Sequence, residues 1–353
     1  MILEVSSLIL RVCTFTAQGE ALARKTFEEW PEMIPQYRSA DVSLEQWTGA
    51  CFERHLPILF IGACGIAVRA IAPFVRDKLS DSAVLVMDEQ GRFIIPILSG
   101  HVGGANALAK KLADKTGGIL VLTTATDVEG RFSVDVFAME NGLQIKNRDG
   151  IRKVSAKLLR EEKVTITWED GIQAAITEGS GTEGTELPEG LVFVPFSSET
   201  ADVRIVTEEG LARYQDLSQS LLLVAKEYVL GIGCKKGKTF EEFYAFLAEN
   251  LPEGWAAKTC AIASIDLKAR EEGLWELAQY YHLPFVTYPA SELQKVQGEF
   301  TESEFVRETT GVANVCERAA LCHAGEGGEL VQKKTASQGM TVVVAKRITV
   351  LHF

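Results

Sequence analysis

The chain has no cysteines spaced CxxC, no HExxH and no Cys/His cluster at zinc spacing, and only five histidines, at 55, 101, 282, 323 and 352, in 353 residues. A dedicated protein-held metal site is therefore not expected. The nearest candidates, Cys316, Cys322 and His323, lie on a helix-like stretch, 312–323, where Cys316 is expected to face a core. The seven cysteines are scattered and odd in number, so no complete disulfide scheme exists and a reducing cytoplasm is expected. Apolar runs of the ~18–20 residues that span a bilayer are missing, and Glu4 stands where a secretory leader would be basic. Positive charge is in deficit as well. A net charge of -12 argues against non-specific nucleic-acid binding and leaves room for an anionic small molecule in a local basic pocket.

Hydrophobic residues make up 46% of the chain, enough for sizeable cores, and at ~100–200 residues per domain the length suggests two or three units. Strand-like and helix-like stretches alternate at 7–15, 20–29, 58–63, 67–75, 83–87 and 93–98, with 88–91 reading as a hairpin turn and 119–123 as a further strand. The fold class expected is α/β in three domains. Residues 1–135 and 226–353 form amino- and carboxyl-terminal α/β sandwiches with mixed sheets, around a smaller middle α/β domain, 136–225. The middle segment has a charged helix at 151–163, strands at 164–168 and 191–195, and an acidic, glycine-rich stretch at 177–190 that reads as a solvated connector. In the last domain an apolar strand is expected to enter a glycine turn across 228–237, with strands at 261–265, 283–288 and 340–345, and helices at 275–281 and 311–321.

LSGHVGGAN, 98–106, concentrates the features of a site. The apolar run 93–98 reads as a strand, and Ala105, Leu108, Ala109, Leu112 and Ala113 then follow helical spacing, so His101 sits in a glycine turn between strand and helix. Gly103 and Gly104 have no Cβ, and their amides are expected to approach a ligand closely. The helix behind them opens with unpaired N–H donors and a positive dipole end, an arrangement suited to an anion or a developing oxyanion. A tight turn that needs glycine for shape alone accounts for the same residues equally well.

A second apolar strand enters a glycine turn at YVLGIGCKKG, 228–237. Thr239 and Glu242 have capping-box spacing, which places the amides near Gly237 and the charges of Lys235 and Lys236 around a helix N-terminus. This is a second anion-binding candidate, with an ordinary solvated lysine pair as the plainer account. The GxG lacks the third glycine of the dinucleotide fingerprint and GxxxxGK[ST] is absent, so a nucleotide or sugar-phosphate enzyme is disfavoured. Ser264, Asp266 and Lys268 alternate around the end of the strand 261–265 and are expected on one face of its carboxyl end, where α/β sheets commonly bind ligands.

GACGIAVR at 62–69, LSGHVGGAN, and Thr124-Ala125-Thr126-Asp127 resemble the amino-terminal signature of the CbiG family of cobalamin biosynthesis. GIGCKKG at 231–237, ASIDLK at 263–268, and Gly311-Val312-Ala313 with 317–321 resemble that family's carboxyl-terminal domain, which related corrinoid proteins share. The likeness spans nearly the whole chain. The pair after Cys234 is commonly arginine in such loops; Lys235 and Lys236 retain the charge but lose bidentate carboxylate recognition.

The resemblance implies a hydrolase that opens the δ-lactone of cobalt-precorrin-5A, releases the C20 fragment as acetaldehyde and yields cobalt-precorrin-5B in the anaerobic pathway. For that reaction His101, an imidazole with an ordinary pKa near ~6.5, is the expected general base on water or acid to the leaving oxygen, and Asp127, delivered by the strand 119–123 to the same sheet edge, is expected to orient it or to share proton transfer. Ser99 as acyl nucleophile is the lesser variant. The substrate-binding set is Gly62, Gly65, Arg69, Gly100, Gly103, Gly104, Asn106, Gly231, Gly233, Cys234, Lys235, Lys236, Gly237, Ser264, Asp266 and Lys268. The carboxylates of a corrin precursor suit helix N-termini and basic side chains. No cofactor is implied, because cobalt belongs to the macrocycle. The partners implied are the cobalt-corrinoid substrate, other corrin-pathway enzymes and a second copy of the chain, with neither nucleic acid nor membrane. The alternative function is a non-catalytic carrier that binds or channels a corrinoid intermediate.

Overall fold

The computed structural model describes residues 8–28, 30, 32–77, 80–101, 103–123, 132–175, 187–198, 200–213, 219–300 and 302–353. They fall into two compact units. One holds Met1–Thr123, Lys235–Ala245 and Asp266–Thr287; the other holds Thr124–Cys234, Phe246–Ile265 and Tyr288–Phe353. Among the described residues, no helix is long and apolar enough to cross a membrane.

The first unit is built on a six-stranded sheet of order β2-β1-β3-β4-β5-β6. Its strands are β1 (Leu8–Thr14), β2 (Met33–Tyr37), β3 (Ile58–Ile61), β4 (Val84–Met87), β5 (Phe93–Leu98) and β6 (Ile119–Leu120). The strands β3 and β4, ILFI and VLVM, are buried along their whole length, as apolar strands covered on both faces must be. The first four strands run parallel; β5 returns antiparallel to β4, and β6 runs parallel to β5, so the sheet is mixed as the sequence suggests. The hairpin is set by Asp88 and Gly91. One Asp88 carboxylate oxygen accepts the amides of Arg92 (2.6 Å) and Phe93 (2.8 Å), and Gly91 takes φ 69°, which favours glycine.

Helices α1 (Ala17–Glu28), α2 (Leu44–Glu53), α3 (Cys64–Ile71) and α4 (Ala105–Thr116) belong to the same unit. Glycines in the left-handed region bound α4 at both ends, Gly104 at φ 82° and Gly117 at φ 72°. β2 carries Pro35 and lies at the sheet edge, where a missing N–H disturbs no central ladder.

In the second unit the described residues form two larger sheets and a two-stranded one. The first has the order β10-β8-β11-β12-β7, made from β7 (Leu143–Ile145), β8 (Val164–Trp168), β10 (Leu191–Phe193), β11 (Val203–Val206) and β12 (Leu221–Ala225). Helix α5 (Asp149–Leu159) buries Ile151, Val154 and Leu158 in a core shared with Ile166, Ile205 and Leu223. In the second sheet β13 (Tyr228–Cys234) lies between β14 (Thr259–Ile265) and β17 (Met340–Lys346), with β16 (Glu329–Ser337) beyond β17. The last strand, β18 (Val350–Leu351), pairs with β9 (Gln173–Ala174), and Leu351 is fully buried in the core of the first sheet. Asn141 fixes this return: its amide donates to His352 O (3.0 Å) and its carbonyl accepts the His352 amide (2.7 Å).

The helix expected from Gly311 begins later. Gly311, at φ 78°, closes the preceding helix Glu304–Thr310 by donating to Arg307 O (2.8 Å), and the next helix in the sheet's core is Cys316–Ala324. Cys316 is buried in that core, as expected. His323, near the helix end, has Nδ1 2.9 Å from the Tyr288 hydroxyl. Burial, with the Arg347 charge nearby, pushes its pKa down to about 4.

The sign follows from where each state binds the proton. The unfolded chain takes up a proton on His323 near pH 6.5, the folded chain only near pH 4, so stability falls as pH drops through that window. Across the whole window the loss is on the order of 3 kcal/mol. His323→Gln is expected to flatten the urea midpoint between pH 7 and pH 5 relative to the parent chain; equal slopes would assign the acid sensitivity elsewhere.

Candidate functional site

The turn after β5 is closed by its own backbone. Ser99 leaves the strand with φ 55°, is buried, and donates its hydroxyl to Asp81 O at 2.8 Å. The amide of Gly104 donates to His101 O (2.9 Å), that of Ala105 to Ser99 O (3.1 Å) and that of Asn106 to Gly100 O (2.9 Å). The helix start that was expected to offer unpaired donors thus has three amides satisfied from within the loop. For Gly104 the oxyanion role is corrected on this ground, because its N–H is committed to His101 O.

Glycine is required here by close approach. A Cβ on Gly103 would stand 2.4 Å from Ser99 Cβ, and one on Gly100 2.6 Å from Asn106 Oδ1. His101 is half-buried at the apex of this loop. Ser99 does not continue the strand toward His101, since β5 ends at Leu98 and the left-handed residue turns the chain. Ser99→Ala is expected to lower the melting temperature, at a cost of about 1 kcal/mol for the abandoned Asp81 carbonyl, and to keep turnover within a few-fold. A loss of turnover as large as that of a His101 variant would restore the nucleophile reading.

Strand direction separates the two amino-terminal motifs. Leu98 pairs with Val84, the first residue of β4, so the His101 turn lies at the edge where β3 and β4 begin. GACGIAVR follows the end of β3, where Ile61 pairs with Met87. Gly62, Gly65 and Arg69 therefore occupy the opposite edge, roughly 10 Å or more away along a four-residue strand. Gly62 has φ 153° and approaches the Phe15 ring so closely that a Cβ would meet it at 2.9 Å. Arg69 is exposed and donates to Gly65 O (3.2 Å).

β6 runs parallel beside β5, with Ile94 opposite Leu120, so the chain leaving it heads toward the His101 edge. Asp127, together with Thr124, Ala125 and Thr126, lies outside the described residues. Two groups at the His101 edge carry no motif in the sequence. Asp81, buried, accepts the amides of Arg76 and Asp77 at 3.0 to 3.1 Å, and its own carbonyl takes the Ser99 hydroxyl. His55 follows α2 in a left-handed conformation, and its ring centroid lies 4.2 Å from that of His282. Burial pushes the His55 pKa down against the opposing pull of Ser80 and Asp81.

In GIGCKKG the glycines of the strand and the glycine of the turn have different work. A Cβ on Gly231 would stand 2.0 Å from Cys316 O, and one on Gly233 2.7 Å from Thr341 Oγ1, so both are places where another element packs close. For Gly231, buried beneath the helix Cys316–Ala324, the substrate-binding role is corrected. Cys234 ends β13 half-buried, opposite Met340. Ser264 is also corrected: it is fully buried and its hydroxyl donates to Ile232 O at 2.7 Å.

Lys235 and Lys236 are exposed. Gly237, at φ 81°, donates its amide to Glu271, and the second oxygen of that buried carboxylate faces Lys268 Nζ at 3.2 Å. The anion beside the Gly237 amide in the structure is the chain's own Glu271. Glu271 was not singled out in the sequence; its spacing of three from Lys268 was the only local signal. Asp266 and Lys268 form a 3-10 turn, so the alternation of Ser264, Asp266 and Lys268 on one face ends at Ile265. The capping box is present, with Thr239 and Glu242 exchanging bonds of 2.9 and 3.3 Å at the start of the helix Phe240–Asn250. Among the described residues, no group of three His, Cys, Asp or Glu is placed to hold a metal ion.

Three family models match in chain order: Cobalamin synthesis G N-terminal over 46–127, Cobalamin biosynthesis central region over 132–186, and Cobalamin synthesis G C-terminus over 228–345. A cobalt-precorrin-5A hydrolase from Salmonella typhimurium is 34% identical over 83% of this chain and 82% of its own length. Another so named, from Priestia megaterium, is 29% identical over 93% of this chain and 88% of its own. A crystal structure of a cobalamin biosynthesis protein G homologue from Sulfolobus solfataricus is 22% identical with a TM-score of 0.41, covering 98% of each chain.

Proposed function

Because the chain belongs to the CbiG family of cobalamin biosynthesis, we propose that it is a cobalt-precorrin-5A hydrolase, opening the substrate's δ-lactone with water and releasing acetaldehyde to give cobalt-precorrin-5B. The observation that carries this reading is the 34% identity to a hydrolase of that name over most of both chains. It favours a catalyst over a non-catalytic carrier of the same intermediate. Cobalt is part of the substrate, and no cofactor of the protein's own enters the proposal.

His101 is the proton-transfer group we assign, since its side chain is half-buried in a turn held by the Gly104, Ala105 and Asn106 amides. With the Gly104 amide committed, the oxyanion falls to the Gly103 amide in this reading, and Asp127 keeps the proposed orienting role. Ser99, bonded to Asp81 O, supports the turn. Lys235 and Lys236, exposed beside the filled Gly237 position, are proposed to meet peripheral carboxylates of the macrocycle, with Arg69, Cys234, Asp266 and Lys268 kept as further contacts. A cytoplasmic location, a homodimer and transient contact with other corrin-pathway enzymes belong to the same proposal. Incubating the purified chain with cobalt-precorrin-5A and measuring acetaldehyde tests it: release at a catalytic rate is expected, and tight corrinoid binding without acetaldehyde would favour the carrier.

A further inference from the structure

Arg54 closes α2 just before β3, and its guanidinium reaches two partners that lie 187 and 222 residues further along the chain. Nη2 donates to Glu241 at 2.5 Å and Nη1 to Glu276 at 2.6 Å, while the guanidinium carbon stands 5.0 Å from the centre of the Phe240 ring. Glu276, whose side chain is 8% exposed, also accepts from Arg11 of β1, and Arg11 faces Glu272 at 3.5 Å. The planar fork of arginine suits a residue that must meet two carboxylates at once. Arg54 falls within the amino-terminal family model, Glu241 and Glu276 within the carboxyl-terminal one, yet all of them belong to one compact unit with His101.

Both ends of the turn Lys235-Lys236-Gly237 lead to Arg54. On one side the chain enters the helix Phe240–Asn250, whose first two residues, Phe240 and Glu241, are the ones Arg54 touches. On the other, the Gly237 amide is bonded to Glu271, the residue that precedes the helix Glu272–Tyr280. Glu276 lies on that helix, about 7–8 Å from Glu271 at 1.5 Å per residue. The charges of Lys235 and Lys236 attract an anion wherever the turn stands; where it stands relative to His101 is set by what holds these two helices to the amino-terminal sheet.

We propose that Arg54 is a positioning residue for the hydrolase: by gripping Glu241 and Glu276 it seats the Lys235-Lys236 turn on the body that carries His101, so that a substrate carboxylate held by the lysines keeps the lactone in reach of that histidine. Arg54 acts through the turn. The inference rests on the hydrolase reading and on the two lysines as substrate contacts.

The test is a mutant cycle on the full chain, read as KM and kcat for acetaldehyde release and, separately, as the Kd for cobalt-precorrin-5A from its visible spectrum. Arg54→Ala is expected to raise KM and Kd by about tenfold and to leave kcat within about threefold. Glu276 keeps Arg11 in that variant, so the fold is expected to persist, with circular dichroism as the check. In a chain already carrying Lys235→Ala and Lys236→Ala, the same change is expected to raise KM no further, because the route through the turn is gone. An equal rise in that background, a KM unchanged by Arg54→Ala, or a loss confined to kcat overturns the proposal. If Arg54→Ala does not fold, Glu241→Gln decides, since its carboxylate is 64% exposed: a KM raised by about two- to threefold supports the role, and an unchanged KM overturns it. A parent chain that releases no acetaldehyde sinks the hydrolase reading alone, and the same cycle read as Kd still decides whether Arg54 acts through the lysines.

Discussion

Replacing His101 by alanine is expected to lower kcat for acetaldehyde release by on the order of 10²–10⁴, the contribution usual for a positioned proton-transfer group. Binding of the corrinoid, followed by its visible spectrum, is expected to stay within a few-fold. The structure gives a reason to expect that separation. His101 contributes its backbone carbonyl to the turn, and alanine keeps that carbonyl and its bond from the Gly104 amide. Removal of the side chain therefore leaves this backbone bond of the turn in place. Unchanged turnover would eliminate the proton-transfer role; equal losses in binding and turnover would make His101 an anchor for the substrate. His55, at the same sheet edge, provides the comparison, and His55→Gln is expected to cost much less.

The largest effect on folding is expected at Gly231. A side chain there collides with backbone, because the new Cβ would lie 2.0 Å from Cys316 O, 2.8 Å from Val343 Cγ2 and 2.9 Å from Ala320 Cβ. No rotamer relieves a clash made by a Cβ. The helix Cys316–Ala324 must move off β13, opening a core that includes Val229, Ala319, Ala320 and Val343. Overpacking of this kind costs about 1–3 kcal/mol and more when backbone must shift, a large part of ordinary stability. Gly231→Ala is expected to lose solubility or to melt many degrees lower, whereas Gly237→Ala, with open space around its Cβ, suffers only from its φ of 81°. If Gly231→Ala instead melted like the parent and bound corrinoid weakly, the substrate-binding role would be restored.

Much of the fold was legible because its signals are local. The apolar runs at β3, β4 and β5 identify strands, Asp88 and Gly91 mark the hairpin, and the paired glycines bound α4. Thr239 and Glu242 meet as their spacing of three requires. β2 and β16 were not legible. One contains Pro35, and the other, ELVQKKTAS, has no fully buried residue and lies at the sheet's edge, so neither has the buried pattern that identifies a strand. The helix after Gly311 was placed too early because a glycine at φ 78° closes one helix as readily as it precedes another.

The site was legible in its residue types and not in its connections. Glycines in LSGHVGGAN and GIGCKKG were read as openings for a ligand. In the structure Gly103 and Gly231 admit other parts of the same chain, and the Gly237 amide holds Glu271. The missing Cβ is visible in a sequence, whereas the atom that uses the vacated space is not.

By itself the sequence determined the class of fold, many of its strands and helices and, through its motifs, the family, since these depend on composition and spacing along one chain. Only the tertiary structure decided that the His101 turn and GACGIAVR stand at opposite edges of one sheet. It also decided that Ser99, the Gly104 amide and the Gly237 amide already have partners. The reason is physical: the direction of β5 against β4 and the pairing of a buried donor depend on which residues distant in sequence meet, and folding settles that by satisfying every buried polar group at once.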